Sequence, residues 1–515
     1  MHKKLLFGLV ILVLVALPLL GACAGEAAAP ASLKVGYNNG ITSVDPTDFF
    51  GGAPPGVFEQ LVKFDQNEKM IGALAESWSL SADGKTLEFK LRKGVKFSSG
   101  DEFKAADVEF SLARNKEKNM PIASQLTQNF DRIEVVDDST VRFHFPATNI
   151  QFLPQTCANM NIISKAYYDK VGEDAYLKNP VGTGPYKITD WKEGQYIDVA
   201  YNDKYRGKKP QIQTARFLSA RDSSTRVAML QAGEVDLIQQ VPGSNIAALE
   251  AAGFKRVDIQ QPHVICIIMD LLSPNTPWSN IKVRQAMNYA IDKESLIKTI
   301  FGSAAQKASW LLPWELGYDA SLNPSYPYDL TKAKTLMKEA GYENGFDLPL
   351  AYASWMEWGR DLSDYLASAP KAININVKLT GLNEMPAFMG TIEDLHKAYV
   401  TGKPTTPSCF LFDTGWPGNP EVVIDLTNGF YMEKGNTLYD NKEVYALVKQ
   451  ALQTVDNAAR GELAKKAYKI INADLPHIPI VLEVQTNMMK SNITYTPDTG
   501  SMARGPSNLW ELSVK

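Results

Sequence analysis

Residues 74–112 read LAESWSLSADGKTLEFKLRKGVKFSSGDEFKAADVEFSL. Asp83-Gly84 is a turn signal, since these residue types accept the backbone angles of a tight reversal. Beyond it Leu87, Phe89 and Leu91 alternate with Glu88 and Lys90, the period of a strand buried on one face. From Ala105 to Arg114, Val108, Phe110 and Leu112 are separated by polar residues, and this segment reads as an amphipathic helix. A turn, a strand and a helix within forty residues point to a mixed α/β chain.

The same alternation extends outward. Leu33 to Asn38 reads as a first strand ending at Asn39-Gly40, and Pro55 to Phe64 as a short helix carrying Val57, Phe58, Leu61 and Val62. Val135 to Phe145 is a hairpin around Asp137-Asp138-Ser139. The run Asn179-Pro180-Val181-Gly182-Thr183-Gly184-Pro185-Tyr186 is glycine-rich, but no Lys-Ser/Thr pair follows and Pro185 lacks an N–H donor. It reads as a tight chain crossing, not a phosphate loop. Ser223 to Ala232 is a helix ended by Gly233, and Val235 to Ile238 a strand. Val264 to Met269 is a buried strand, and Ile281 to Ile291 a helix. The helix from Asp329 to Ala340 has a capping side chain at its start. A strand at Ile373 to Leu379, helices at Glu443 to Val455 and Ala458 to Ala473, and a strand at Ile478 to Val484 complete the pass.

At 515 residues the chain needs more than one core. A formal charge of −4 provides no basic field for nucleic acid. Lys3 and Lys4 precede an apolar run from Leu5 to Leu20, then Leu20-Gly21-Ala22-Cys23, which is the pattern of a secretory signal; the alternative is a single membrane anchor, for which the run is slightly short, and Pro18 with the small residues at its end favours cleavage. Losing residues 1–22 removes both lysines and takes the charge to −6. Residues 23–32 then read as a tether. Cys157, Cys266 and Cys409 show no metal-site spacing, and buried free thiols are the expectation. His2, His144, His263, His396 and His477 are scattered, and neither an H-E-x-x-H nor a G-x-S-x-G motif is present. No catalytic residue, metal site or cofactor is therefore assigned. An extracytoplasmic hydrolase stands as the minority reading.

Leu74-Ala75-Glu76-Ser77-Trp78, Asp83-Gly84-Lys85-Thr86, Leu91-Arg92 and Asp107-Val108 together resemble the family 5 solute-binding proteins of bacterial ABC importers, the dipeptide, oligopeptide and nickel group. Gly182 to Tyr186, Gly233-Glu234-Val235-Asp236, Val283-Arg284-Gln285-Ala286 and Ala333 to Tyr342 extend the resemblance in order along the chain. It implies a two-lobed periplasmic-binding-protein-like clamshell of the large, three-subdomain class II type, with mixed sheets. Lobe 1 would be residues 33–262 plus 483–515, with an inserted subdomain at about 58–181; lobe 2 would be residues 263–482. The hinge falls near Gln261 to Ile265 and Val481 to Val484. A monomer is expected, delivering a peptide or other small polar solute to permease subunits in the membrane. Cys23 stands where bacterial lipoproteins carry the acylated thiol, implying a membrane anchor.

Candidate ligand contacts follow. In Ser408 to Pro420, an apolar strand from Cys409 to Phe412 runs into Asp413 and a Gly/Pro turn around Trp416. Trp416 is either a ligand platform or one more core aromatic. The peptide binders that this chain resembles carry tryptophan-x-x-aspartate here, and the aspartate holds the peptide's α-amino group. This chain reads Trp416-Pro417-Gly418-Asn419. The resemblance therefore places Asn419 at the ammonium site with no charge to offer, and a ligand lacking a free amino terminus fits better. Met269-Asp270 replaces a frequent aromatic–asparagine pair. Trp355 and Trp358, in the polar segment S-W-M-E-W-G-R-D, suit stacking on rings, and Arg360 suits a carboxylate or else opens a surface helix. Asn38 and Asn39, where the first strand ends, join the set. An oligosaccharide or a metal chelate is the alternative cargo.

Overall fold

The computed structural model describes residues 31–38, 40–48, 54–118, 130–302, 305–308, 315–322, 326–414, 437–498 and 508–515. Strand β1 (Ala31–Tyr37) starts a mixed sheet, and the chain then leaves it for two smaller ones. β2 (Val62–Phe64) and β3 (Met70–Gly72) form a hairpin. β4 (Ala75–Leu80), β5 (Thr86–Leu91), β6 (Arg132–Asp137) and β7 (Thr140–His144) form an antiparallel sheet in the order β4-β5-β7-β6. Leu87, Phe89 and Leu91 turn inward, as their alternation predicts, against the helix Ala105–Lys118. The core formed here uses only residues between Leu61 and Val181.

The chain returns to the main sheet through β8 (Tyr186–Lys192), β9 (Tyr196–Tyr201), β10 (Ile212–Ser219) and β11 (Leu237–Ile238). The expected tight crossing is there: a Cβ on Gly182 would lie 2.1 Å from the Val57 carbonyl oxygen, and one on Gly184 2.2 Å from that of Gly56. This contact also corrects the expected helix at Pro55 to Phe64. The carbonyls of Val57 and Gly56 accept from Gly184 N (3.1 Å) and Tyr186 N (3.0 Å), and β2 begins at Val62. The backbone groups are satisfied by the crossing chain instead of by a helical turn.

β12 (Lys255–Ile268) and β17 (His477–Met489) are the long antiparallel pair at the centre of the molecule. β13 (Gln306–Lys307), β14 (Phe346–Ala353), β15 (Ile375–Leu382) and β16 (Cys409–Thr414) lie between them in sequence. The sheet order is β15-β14-β16-β12-β17-β11-β1-β10-β9-β8, with β13 also on β17. β18 (Ile493–Tyr495) and β19 (Leu512–Val514) close the described chain as a pair. The β12–β17 register shifts between Gln260 and Val264. On one side of the shift, Val257, Met488 and Met489 pack with first-half residues such as Val35, Phe217 and Leu230. On the other, Val264, Ile265, Val481 and Leu482 pack with second-half helices and strands. One hydrogen-bonded ladder thus carries two separate cores.

Cys157, Cys266 and Cys409 are buried and free, as expected. His477 begins β17, is 2 % exposed, and burial pushes its pKa down to about 3. The folded value lies below the unfolded one, so this residue's contribution is full above about pH 6.5 and is lost as pH falls toward 3. Between pH 6.5 and 5 the loss should be about 2 kcal/mol, at roughly 1.4 kcal/mol per unit. Urea midpoints across that range will fall in the natural protein and fall less steeply in His477→Gln. Equal slopes would remove the assignment.

Candidate functional site

The register fixes where a ligand crevice lies. β1 runs parallel to β10 and β11, while β11 is antiparallel to β17 with Leu237 opposite Met489 and Ile238 opposite Met488. The carboxyl ends of all three therefore point along β17 toward the register shift. β14, β15 and β16 are mutually parallel, and Asp413 of β16 stands opposite Ile265 of β12, just past the same shift. Their carboxyl ends point back toward the first half. Two carboxyl edges thus face each other across the long strand pair, and in open α/β sheets ligands sit outside carboxyl edges.

Side chains bridge these edges. Ser223, first residue of the helix Ser223–Gln231 after β10, donates from Oγ to Glu357 Oε1 at 2.6 Å, and Glu357 follows β14. Behind this bridge Arg226 is buried at 1 % exposure and donates to the carbonyls of Ala220 (2.7 Å), Arg221 (2.7 Å), Gln239 (2.9 Å) and Gln240 (2.9 Å). These are the residues just beyond β10 and β11, so one guanidinium ties both loops in place. Burial lowers its pKa, while Glu357 and Asp222 act in the opposite sense. Asp222 caps the helix by accepting from Thr225 N at 2.7 Å.

The candidate contacts separate into groups. Asn38 is half-buried directly after β1, and Asp413 is half-buried on β16. Trp355 is half-buried after β14, its ring 5.7 Å from Phe388 at 85° and 6.2 Å from Phe412. Trp358 departs from the expected exposed pair: it is 6 % exposed, packed with Leu362, Leu366 and Tyr352 in the second-half core. It immediately precedes the helix Gly359–Ser368, whose apolar face draws the indole inward. Arg360 lies on that helix's open face and pairs with Asp364 at 2.8 Å, so the surface-helix alternative describes it. Asp270 is fully buried and accepts from Ser273 Oγ (2.6 Å) and Ser273 N (3.1 Å), which makes it a loop brace. Asn39, Trp416, Asn419 and Cys23 lie outside the described residues. The sequence reading overlooked Arg221 and Arg226. The available signal was a lone arginine at position 226 among Val227 and Leu230, an apolar face where a cation needs many acceptors.

No group of three or more His, Cys, Asp or Glu side chains able to hold a metal occurs among the described residues. No described helix is long and apolar enough to cross a membrane.

Two cores on one continuous strand pair, with facing carboxyl edges, define a two-lobed clamshell binding protein. The profile of "Bacterial extracellular solute-binding proteins, family 5 Middle" matches residues 69–408. The chain is 30% identical over 509 residues to the glutathione-binding protein GsiB of Escherichia coli O1:K1 / APEC, covering 94% of this chain and 96% of that one. Among solved structures it is similar to the periplasmic binding protein DppA of Helicobacter pylori in complex with peptide STSA, with a TM-score of 0.73, 24% identity, and coverage of 94% and 98%. It is similar also to NikZ of Campylobacter jejuni in complex with Ni(L-His), with a TM-score of 0.75, 21% identity, and coverage of 94% and 100%. The chain belongs to the family 5 extracellular solute-binding proteins. It is a substrate-binding component of an ABC importer, and its family works outside the cytoplasm.

Proposed function

We propose that this chain captures a peptide-like solute between its lobes and presents the closed form to the permease subunits of its importer. The facing carboxyl edges carry this reading: they give one ligand two half-sites on separate cores. Contacts made with both lobes at once favour closure, since only differential affinity shifts such an equilibrium. Lobe 1 is residues 33–262 plus 483–515 with an insert at about 58–181, lobe 2 is residues 263–482, and the hinge lies at the β12–β17 register shift. Trp355, Asn38 and Asp413 border the crevice, and Trp416 and Asn419 complete it. Relatives named for glutathione and for a bound peptide support the peptide class. Cys23 is the site of a lipid anchor, and the protein acts as a monomer.

Asn419 in place of an aspartate selects ligands without a free α-ammonium, because a neutral amide gives about half the strength of a charge-assisted bond. Thermal-shift titration with free and N-acetylated forms of the same peptides should favour the acetylated series. A strong preference for free amines overturns this choice of ligand, and turnover of any peptide overturns the transport-only reading.

A further inference from the structure

The crevice edge of the first half carries two polar groups with no side-chain partner among the described residues. Ala220 N donates to Tyr37 O at 2.9 Å, so Asn38 and Arg221 are the next residues on adjacent strands past the last rung. Arg221 is exposed, and no carboxylate among the described residues pairs with it. Its neighbour Asp222 is already engaged by Thr225 N (2.7 Å), Thr225 Oγ1 (2.8 Å) and Ser224 Oγ (3.0 Å). Asn38 likewise makes no side-chain hydrogen bond among the described residues.

The guanidinium is also seated. It lies against Gly40: a Cβ there would be 2.2 Å from Arg221 Nη2 and 2.5 Å from Cζ and Nε. The Arg221 backbone is fixed from behind by Arg226 Nη1 (2.7 Å to its carbonyl), and the helix that starts at Ser223 meets Glu357 across the crevice. A planar cation lying against a glycine, with no carboxylate partner among the described residues, is pre-organised for a planar anion.

We infer that Arg221, assisted by the Asn38 carboxamide, is the first-lobe anchor for a carboxylate of the transported solute. This rests on the binding-protein reading and adds the ligand's charge. A cation here, and an uncharged amide instead of a carboxylate at position 419, favour solutes recognised through an anionic end. The test uses the full-length protein and two probes: an N-acetylated peptide hydrolysate, and the same acetylated hydrolysate with its carboxyl groups methyl-esterified. Native mass spectrometry should find the natural protein loaded from the first pool and roughly ten- to hundredfold less from the second. Arg221→Gln should abolish that discrimination with an unchanged melting temperature. Gly40→Ala, which keeps the charge but unseats it, should weaken discrimination too. Equal loading from both pools, or discrimination that survives Arg221→Gln, overturns the anchor. Loading from neither pool overturns the peptide-class reading of the ligand.

Discussion

Arg226→Ala will lower stability by about 4 kcal/mol and the melting temperature by roughly 10 °C, with the loss confined to the first lobe. Four carbonyls, those of Ala220, Arg221, Gln239 and Gln240, lose their donor at once. Each unsatisfied buried acceptor costs about 1–3 kcal/mol, and water entering the vacated volume recovers part of the total. Arg226→Lys should recover less than half, because a single ammonium cannot span two loops as a planar fork does. Calorimetry of both variants checks the ranking; a lysine variant as stable as the natural protein would contradict the bracing role. Affinity should fall in the alanine variant as well, since the same bonds hold the loop that presents Arg221.

The second lobe repeats the device. Arg284, 5 % exposed, donates to the carbonyls of Trp278 (2.7 Å), Ser279 (2.9 Å) and Leu475 (2.9 Å), and burial lowers its pKa to about 10. Leu475 itself has φ of 47°, an uncommon backbone state for leucine that the guanidinium contact helps to hold. In both lobes a buried cation takes the place of regular hydrogen bonding where the chain leaves an element: beyond β10 and β11 in the first, and at a short 3-10 turn and a helix end in the second.

Much of this was legible in the sequence because the signals were local. Alternation at Leu87, Phe89 and Leu91 gave a strand, and Asp329 gave a helix start that its bond to Lys332 N (2.9 Å) realises. The paired glycines at 182 and 184 gave a crossing. What failed was non-local. The apolar residues around Val57 fit a helix, but their backbone is taken by Gly184 and Tyr186, far along the chain. Trp358 and Arg360 sit two residues apart at the start of one helix, and only the packing of that helix decides that one is core and the other surface. Arg221 was invisible as a candidate because its distinction is the lack of a carboxylate partner among the described residues, which no spacing encodes. Resemblance to a family supplied the crevice; it did not supply the charge within it.

Gly243→Val will separate the two lobes functionally. Gly243 starts the helix Gly243–Ala251, which packs on the first-lobe core with Val227 and Leu230. A Cβ there would lie 2.4 Å from Ile300 O and 2.4 Å from the Phe301 carbonyl carbon, at the end of the second-lobe helix Lys293–Ile300. Gly302 returns the contact, its own Cβ position being 2.3 Å from Gly243 O. Backbone meets backbone here, and neither side has a flexible group that can give way. The helices must part by more than an ångström, against well-packed cores, at a cost of about 1–3 kcal/mol. The nearby β13–β17 pairing at Val481 and Leu482 belongs to the proposed hinge. The displacement therefore changes the angle at which the lobes meet, and a ligand that needs both half-sites loses one. Affinity should fall more than tenfold, and the single melting transition should broaden or split. Gly390→Ala is the control: nothing lies within 4 Å of its Cβ position inside the helix Met385–Thr401, so stability should hold or rise by about 0.5–1 kcal/mol. Unchanged affinity in Gly243→Val would mean that the contact is not carried through closure.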